Sequence, residues 1–567
     1  MSTQSEEFRR QPPPPLAPRP ISLPRPQETI LSNGMTVVVV EDSRLPLVSF
    51  RLAFGFGDAH DPANLPGLSD MLAGLLTEGT ESRTSRQIAD ETARMGATLT
   101  AGASSDYTTI AGSALARFNE AILELIADVT MHPSFPEHEV ELVRQNSKES
   151  LKQQRAQPSF LATEMVSRVM FGNHPYSVVA PTPESIDATS RTDIADFHQR
   201  KYVPNNAVLI VVGDVRAEDT IRRAESLFGQ WAPGEQLKND FPAPPARTAR
   251  SAYLIDRPGS AQSNIVIANN GITRTNADYF PLLLMHTVFG ATASSRLFMN
   301  LREEKGYTYG AYSNLDARRT AGTFRSSAEV RTPVTGDSLK EFFYELNRIR
   351  TEPVSQKEIS DAKSYLTGVF PIRLETQEGI VDQLVQIKML GLGDNYLHEY
   401  RDRVQSVSVA DIQRVARKYI LPDQAAIIIV GDGAQVIDQL KPFTESIEIY
   451  NTAGKRKAGP GSSTALSADI LGEWALEFET PLGQAIPATM IVSETASGPA
   501  ARIDSEMGSA DLSGIENEGN AFTASISFDM EGQMMEGQIS GTLQGDHLDG
   551  TLSLQGFPSL NFTGKRI

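Results

Sequence analysis

The sequence predicts an α+β protein built from two homologous α/β-sandwich halves and followed by a separate all-β domain. Three observations favour this fold class. Segments with strand-like and helix-like patterning alternate from residue 29 to about residue 450, as in layered α/β architectures. Part of this stretch recurs later in the chain. Beyond residue 467 the pattern changes to short alternating strands separated by Gly and Asp turns.

The internal repeat relates residues 193–214 to residues 411–432, at an offset of 218 residues. At this offset the two segments align without a gap, with a Pro turn and a closing Gly-Asp pair in the same places. Each segment predicts a helix, a turn and a buried strand. We therefore predict two homologous halves, residues 29–232 and 251–450, joined by a linker at residues 233–250.

The two ends of the chain have a different character. Residues 1–28 are rich in Pro and predict a flexible arm. A Gly/Ser-rich linker at residues 451–467 leads into residues 468–567, whose pattern predicts a β-barrel or a β-sandwich. This last domain contains 15 acidic and 3 basic residues, so it carries about 12 of the chain's 18 net negative charges. No motif in it indicates a role.

The composition excludes several classes of protein. The chain has 567 residues and a formal net charge of −18, which argues against a nucleic-acid partner because phosphates require a basic surface. It contains no Cys, which excludes disulfides, thiol nucleophiles and thiolate metal sites. No apolar run is long enough for a membrane-spanning helix. Because no signal peptide is visible, we expect a periplasmic or exported protein if a leader has been removed, and otherwise a cytoplasmic one.

The most informative segment is residues 67–80, which predict a short amphipathic helix after a Gly/Pro-rich turn. Its buried stripe consists of five apolar side chains: Leu68, Met71, Leu72, Leu75 and Leu76. Asp70, Ala73 and Gly74 are expected to share the opposite face. Neither Ala nor Gly has a side-chain group that binds a metal or accepts a proton, so this face keeps a single functional group.

Three blocks give the chain a specific resemblance to a known family. The segments Leu31–Met35 and Gly67–Thr80 match a strand and a helix of one half, and residues 295–309 match a block of the other half. On these residues the chain is similar to the pitrilysin/insulinase peptidases over about residues 29–450. The resemblance implies half of a clam-shell made of two processing-peptidase-like halves. In that family the helix carries H-x-x-E-H, in which two His bind zinc and the Glu activates water.

The resemblance implies that this chain has lost its zinc site. Asp70, Ala73 and Gly74 stand where the family has His, Glu and His. Glu149 lies where the family places its third zinc ligand, although a lone Glu on a helix is more often a solvated surface residue. Two carboxylates without an imidazole are too few ligands, of the wrong kind, for tight zinc binding. We therefore expect no metal in this chain and regard these four residues as degenerate zinc-motif positions.

Arg302 and Tyr309 match the family's Arg/Tyr pair with the expected spacing. In the family this pair reaches from one half to the zinc helix of another, and in small members the two roles are divided between subunits. A guanidinium and a phenol O–H aimed at a peptide carbonyl oxygen stabilise the negative charge that develops there. The alternatives are a surface ion pair between Arg302 and Glu303 or Glu304, and core packing of Tyr309.

These residues predict a non-zinc-binding subunit of a heterodimeric zinc metalloendopeptidase that is inactive alone. The expected partner is a homologous subunit that contains H-x-x-E-H and supplies the zinc, and the expected substrates are unfolded peptides. The segment from Gly96 to Thr108 resembles the family's edge strand, which holds peptides by backbone pairing, and an ordinary edge strand is the alternative.

The alternative function is a catalytically inactive structural or peptide-binding scaffold, like the core subunits of the respiratory bc1 complex that resemble this family. The C-terminal domain would hold a small ligand, dock the partner or cap the chamber.

Overall fold

The computed structural model describes residues 25–457 and 470–567, except for 480–484, 496–497, 507, 519–520, 531–532 and 555–558. The chain divides into two compact units, Met1–Lys455 and Arg456–Ile567. Most of the predicted Pro-rich arm and most of the Gly/Ser linker lie outside the described residues. Within the described part of the chain, no helix is both long and apolar enough to cross a membrane.

The first half of the larger unit is a mixed six-stranded sheet with helices. Its strands are β1 (Gln27–Ile30), β2 (Thr36–Glu41), β3 (Leu47–Phe54), β4 (Thr98–Ala103), β5 (Thr108–Leu115) and β6 (Ala207–Gly213). Its helices are α1 (Leu68–Leu75), α2 (Ser85–Met95), α3 (Asn119–Met131), α4 (Glu137–Arg155), α5 (Pro158–Phe171), α6 (Pro183–Ala188), α7 (Arg191–Lys201) and α8 (Ala217–Phe228). The strand order is β1-β2-β6-β3-β5-β4, so β4 is an edge strand.

The second half repeats this plan. Its strands are β7 (Ser251–Asp256), β8 (Gln262–Asn270), β9 (Thr308–Ala317), β10 (Gly322–Arg331), β11 (Ala426–Gly431) and β12 (Ile447–Tyr450). Its helices are α9 (Tyr279–His286), α10 (Arg296–Phe298), α11 (Thr335–Thr351), α12 (Gln356–Arg373), α13 (Gln377–Leu390), α14 (Tyr396–Ser406), α15 (Val409–Tyr419) and α16 (Gly433–Leu440). The order β12-β7-β11-β8-β10-β9 makes β9 the edge strand that corresponds to β4.

The predicted repeat is visible in the details of both halves. Helix α7 begins with a capping box between Ser190 and Asp193, and α15 begins with the same box between Ser408 and Asp411. The strand that follows each helix pairs parallel with one neighbour and antiparallel with the other. The linker at residues 233–250 has no regular secondary structure.

The two halves exchange covering helices. Helix α13 of the second half packs on β3 and β6, and α5 of the first half packs on β8 and β11. Apolar side chains of α5 such as Leu161 and Val166 join one buried cluster with Ala268 and Ile428 of the second sheet. Because each sheet is covered by the other half, the two halves form one body whose cores depend on each other.

The smaller unit is a closed antiparallel barrel. Its strands are β13 (Gly472–Glu479), β14 (Ala485–Thr495), β15 (Gly498–Ser505), β16 (Gly508–Glu518), β17 (Ala521–Met530), β18 (Gln533–Gln544), β19 (His547–Leu554) and β20 (Leu560–Arg566). Each strand pairs with the next along the chain, and β20 pairs with β13 to close the barrel. The sandwich alternative is therefore wrong, because a sandwich leaves strand edges that this closure removes.

Aromatic side chains occupy much of the barrel interior. A Cβ on Gly541 would lie 2.5 Å from the ring of Phe522, and a Cβ on Gly550 would lie 2.5 Å from the ring of Phe562. Trp474 is fully buried beneath the Arg566 guanidinium, 4.7 Å from the centre of its ring. The glycines thus make space for rings, as expected for a small barrel filled by its own side chains.

Candidate functional site

The start of α1 is held by a half-buried carboxylate. Asp61 accepts hydrogen bonds from the backbone N–H of Gly67 at 2.8 Å and of Ser69 at 3.0 Å, and from the Ser69 hydroxyl at 2.5 Å. An anion at this position is stabilised by the unpaired N–H groups of a helix N-terminus. Burial raises the pKa of Asp61 to about 6, although these bonds act in the opposite direction.

The degenerate zinc positions do not all share one open face. Asp70 and Gly74 are exposed, whereas Ala73 is completely buried. The prediction that Ala73 lies with the other two is therefore wrong, because its position on the helix turns its methyl group toward the core. A Cβ on Gly74 would meet no atom of the residues that the structure describes within 4 Å, so the helix has an open face there.

Helix α1 lies between two elements that the sequence also singled out. It packs on the edge strand β4 on one side and on α4 on the other. Glu149 is exposed on α4. The Ala103 N–H at the end of β4 interacts with the Asp70 carboxylate. The fold therefore brings together the degenerate helix, the helix of the third ligand position and the free strand edge.

Three carboxylates line a cavity of about 280 Å³ at the N-terminal end of α1: Asp58, Asp61 and Asp70. The pKa of Asp58 is raised to about 7, chiefly by burial and then by the charges of Asp61 and Asp70. Burial also raises the pKa of Asp70, although its side chain as a whole is exposed. Sequence reasoning did not identify Asp58 or Asp61 as site residues, and their only signal is two acidic residues shortly before a helix.

The arrangement does not form a metal site. Among the described residues, no group of three or more His, Cys, Asp and Glu side chains is placed to hold a metal ion. Zinc in proteins is held by three or four ligands that usually include imidazoles or thiolates. The face of α1 with Asp70 and Gly74 does not fit such an ion.

Arg302 lies in a π-helical turn, Met299–Glu304, that continues α10. Such turns are rare and frequently occur at functional sites. Two residues fix the turn to the core: Leu301 is fully buried, and the Asn300 side chain donates to Glu345 at 3.0 Å. The Arg302 guanidinium itself is half-exposed, lies 5.5 Å from the centre of the Phe298 ring and forms an ion pair with Glu303.

Tyr309 stands at the start of the edge strand β9. Gly306, with φ of +65°, ends the π-helical turn and lets the chain enter the strand. Two residues further on, Ala311 is fully buried, but the Tyr309 side chain is 93% exposed. Tyr309 therefore does not pack on the core. Among the described residues, its hydroxyl makes no hydrogen bond, so both members of the Arg/Tyr pair face solvent.

Two family models match successive stretches of the chain. Residues 36–182 match the family model described as "Insulinase (Peptidase family M16)", and these residues contain α1. Residues 188–366 match the one described as "Peptidase M16 inactive domain", and these residues contain Arg302 and Tyr309. Neither match extends into the barrel.

Curated proteins and solved structures with peptidase names are also similar to this chain. The uncharacterized zinc protease YmxG of Bacillus subtilis is 22% identical over 406 residues, which cover 71% of this chain and 97% of that protein. A peptidase M16 inactive domain from Pseudomonas fluorescens is 26% identical, with a TM-score of 0.68, over 72% of this chain and 98% of its own. A protease from Helicobacter pylori gives the same TM-score of 0.68 at 20% identity, over 72% of this chain and 100% of its own, and shows the fold alone.

Proposed function

Because this chain belongs to peptidase family M16, we propose that it is the non-zinc-binding subunit of a heterodimeric zinc endopeptidase. Its partner would be a homologous subunit that carries H-x-x-E-H and the metal. The observation that carries the proposal is the 93% exposure of Tyr309, close in sequence to a solvent-facing Arg302, in a chain whose zinc helix has no His.

The two side chains have the chemistry that peptide hydrolysis needs from a second subunit. Attack on a peptide carbonyl places negative charge on its oxygen, which a guanidinium and a phenol O–H stabilise. Arg302 now pairs with Glu303, but an ion pair between two exposed side chains is worth only about 0–1 kcal/mol. Breaking the Arg302–Glu303 ion pair so that Arg302 can bind a developing oxyanion therefore costs little free energy. Water activation belongs to the partner, since Ala73 stands where the family has the Glu that activates water.

The substrate side of the proposal rests on β4. Among the described residues this strand pairs with β5 alone, so its outer edge offers unpaired backbone groups to an extended peptide. Its sequence, Thr-Leu-Thr-Ala-Gly-Ala, contains mostly small side chains that leave this edge accessible. Unfolded segments fit such an edge because backbone pairing requires no particular side chains.

The second candidate function is a peptide-binding or structural scaffold without catalysis. The observation that favours it is the same α1, which has kept its buried stripe and lost its reactive groups. A free β4 edge would still bind peptides in such a protein. Exposed Arg302 and Tyr309 would then have no function in this chain.

The experiment that tests the proposal compares variants in complex with an H-x-x-E-H homologue from the same genome. Arg302→Ala and Tyr309→Phe are each expected to reduce peptide turnover about 10²–10³-fold, the usual loss for one oxyanion donor. Tyr312→Phe is the matched control, because Tyr312 is also exposed on β9. Size-exclusion chromatography with light scattering would verify that every variant still assembles. Unchanged turnover in both test variants would exclude the proposed role.

A further inference from the structure

The turn between β9 and β10, residues 318–321, reaches from the second half into the first. Arg318 donates to the Ser105 hydroxyl at 3.0 Å, and the backbone N–H of Arg319 donates to Asp106 at 3.0 Å. The Arg319 guanidinium donates to the Gly55 carbonyl at 2.6 Å. The turn is thus bonded to the end of β3 and to the loop that joins β4 and β5.

The same guanidinium also reaches a covering helix. Arg319 donates to the Met389 carbonyl in the last turn of α13, at 2.9 and 3.2 Å. Carbonyls at a helix C-terminus have no partner inside the helix, so a cation there is favourable. One side chain therefore links the β9–β10 turn, the first sheet and the helix that covers that sheet.

A directed chain of hydrogen bonds runs beneath the turn. The Thr320 hydroxyl lies 3.0 Å from His174 Nε2 and donates to the Tyr176 hydroxyl at 3.0 Å. The Tyr176 hydroxyl donates in turn to Asp106. His174 Nδ1 accepts from the Tyr176 N–H at 3.1 Å, which leaves Nε2 as the protonated nitrogen that donates to Thr320. Every donor in the chain therefore has an acceptor.

Three of the four members of this chain of bonds are buried, and Thr320 is half-buried. Tyr176 and His174 are each 1% exposed, and Asp106 is 7% exposed. The Arg318 guanidinium covers the Tyr176 ring, 4.8 Å from its centre. Loss of one partner in a buried polar network leaves a desolvated group without a bond, at a cost of about 1–3 kcal/mol.

The loop between β4 and β5, which is bonded to the β9–β10 turn, also bonds to the segment that leads into α1. The carbonyl oxygens of Ser104 and Ser105 accept from the N–H groups of Asp58 and Ala59, at 2.9 and 3.2 Å. A Cβ on Gly57 would lie 1.8 Å from the Ser104 oxygen, so only glycine permits this approach. The loop is therefore held on one side by the segment before α1 and on the other by the β9–β10 turn.

We propose that the turn 318–321, with Asp106 and Tyr176, is a lock that fixes the free edge of β4 relative to β9. One end of the β9–β10 hairpin carries this lock, and the other end carries Tyr309. Asp106, Tyr176 and Thr320 are positioning residues, since they hold the edge without touching a peptide. The benefit to peptide binding is pre-organisation of the strand edge, and this consequence rests on the proposed function. The lock itself does not.

The test measures amide hydrogen exchange in the full chain without any partner. Thr320→Val removes a hydroxyl and keeps the size of the side chain. We expect exchange in residues 98–107 to become about tenfold faster, the effect of about 1.4 kcal/mol, while β2 and β6 stay protected. Tyr176→Phe is a second variant and is expected to produce the same local pattern.

The matched control is Thr335→Val at the opposite end of the hairpin. Thr335 is fully buried, whereas Thr320 is half-buried, and the Thr335 hydroxyl makes two bonds of 2.8 Å, to Ser263 and to the Thr332 carbonyl. It should leave exchange at residues 98–107 unchanged. Unaltered exchange there in Thr320→Val and Tyr176→Phe, or an increase spread evenly over the chain, would overturn the lock. Because no activity is measured, this result is independent of the proposed function.

Discussion

The α1–β4 region of the first half and the π-helical turn with β9 in the second half occupy corresponding places in the repeat. Each leads to the outermost strand of its sheet. The first region keeps a fully buried stripe, including Leu72 and Leu75, and has lost the side chains that would bind a metal. The second region keeps an exposed Arg302 and an exposed Tyr309. Packing alone therefore accounts for the helix, whereas it does not explain two solvent-facing residues at a fixed spacing.

The largest expected effect comes from restoring donors to α1. Asp70→His together with Gly74→His places two imidazoles on the exposed face, one helical turn apart and near α4, which carries Glu149. We expect this variant to bind zinc in the micromolar range, about −8 kcal/mol, and we expect no such binding by the natural chain. Isothermal titration calorimetry would measure it. Absence of binding would show that the backbone of α1, and not only its side chains, has left the zinc geometry.

Substitutions on the two faces of α1 are expected to have smaller and opposite effects on the free energy of unfolding. Leu72 is fully buried, so Leu72→Ala should lower the free energy of unfolding by about 2–5 kcal/mol. Gly74→Ala should raise it by about 0.5–1 kcal/mol, because a methyl group there meets nothing and Ala is the better helix former. Urea denaturation of both variants measures the contrast. Similar losses in the two variants would contradict an open face.

The carboxylate cavity predicts a pH-dependent effect. The pKa of Asp58 is raised to about 7, so the folded protein retains a proton that the unfolded chain loses near pH 4. Its contribution therefore falls as pH rises from about 4 to 7 and stays low above pH 7. Asp58→Asn should stabilise the protein by about 1–3 kcal/mol at pH 8, at roughly 1.4 kcal/mol per pKa unit, and hardly at pH 4.

Thermal or urea unfolding at pH 4 and pH 8 measures this difference. Asp402→Asn serves as the control for the substitution itself, since Asp402 is exposed on α14. An equal effect of Asp58→Asn at both pH values would show that burial and the neighbouring carboxylates do not raise the pKa of Asp58.

The smallest expected effect concerns the pair itself. Arg302→Ala and Tyr309→Phe should each change the free energy of unfolding by less than about 0.5 kcal/mol, as is usual for exposed positions. Chemical denaturation of the isolated chain measures this. A loss above 2 kcal/mol would mean that folding, and not a partner, accounts for the presence of these residues.

Much of the fold could be predicted because its signals are local or repeated. The offset between residues 193–214 and 411–432 predicted two halves, and the capping boxes at Ser190 and Ser408 reproduce it. Alternating apolar and polar residues predicted short strands in residues 468–567, and β17, β18 and β19 are among the strands that lie there. The closure of the barrel is a long-range pairing between its first and last strands, and alternation does not distinguish it from a sandwich.

The remaining features depend on contacts that leave no periodic pattern. The exchange of α5 and α13 between the halves joins residues far apart in sequence, as does the bond between Asp106 and Tyr176. The burial of Ala73 depends on the exact rotation of α1 in the fold. Arg302 and Tyr309 were found through a family resemblance, and their role in catalysis stays a prediction.

Purification of the tagged chain from its native organism would show whether it is one subunit of a zinc endopeptidase. Co-purifying proteins would be identified by mass spectrometry, and zinc would be quantified in the same sample. We expect a stoichiometric homologous partner that contains H-x-x-E-H, with about one zinc ion per pair. A zinc-free monomer or homo-oligomer would contradict it and would favour the scaffold function.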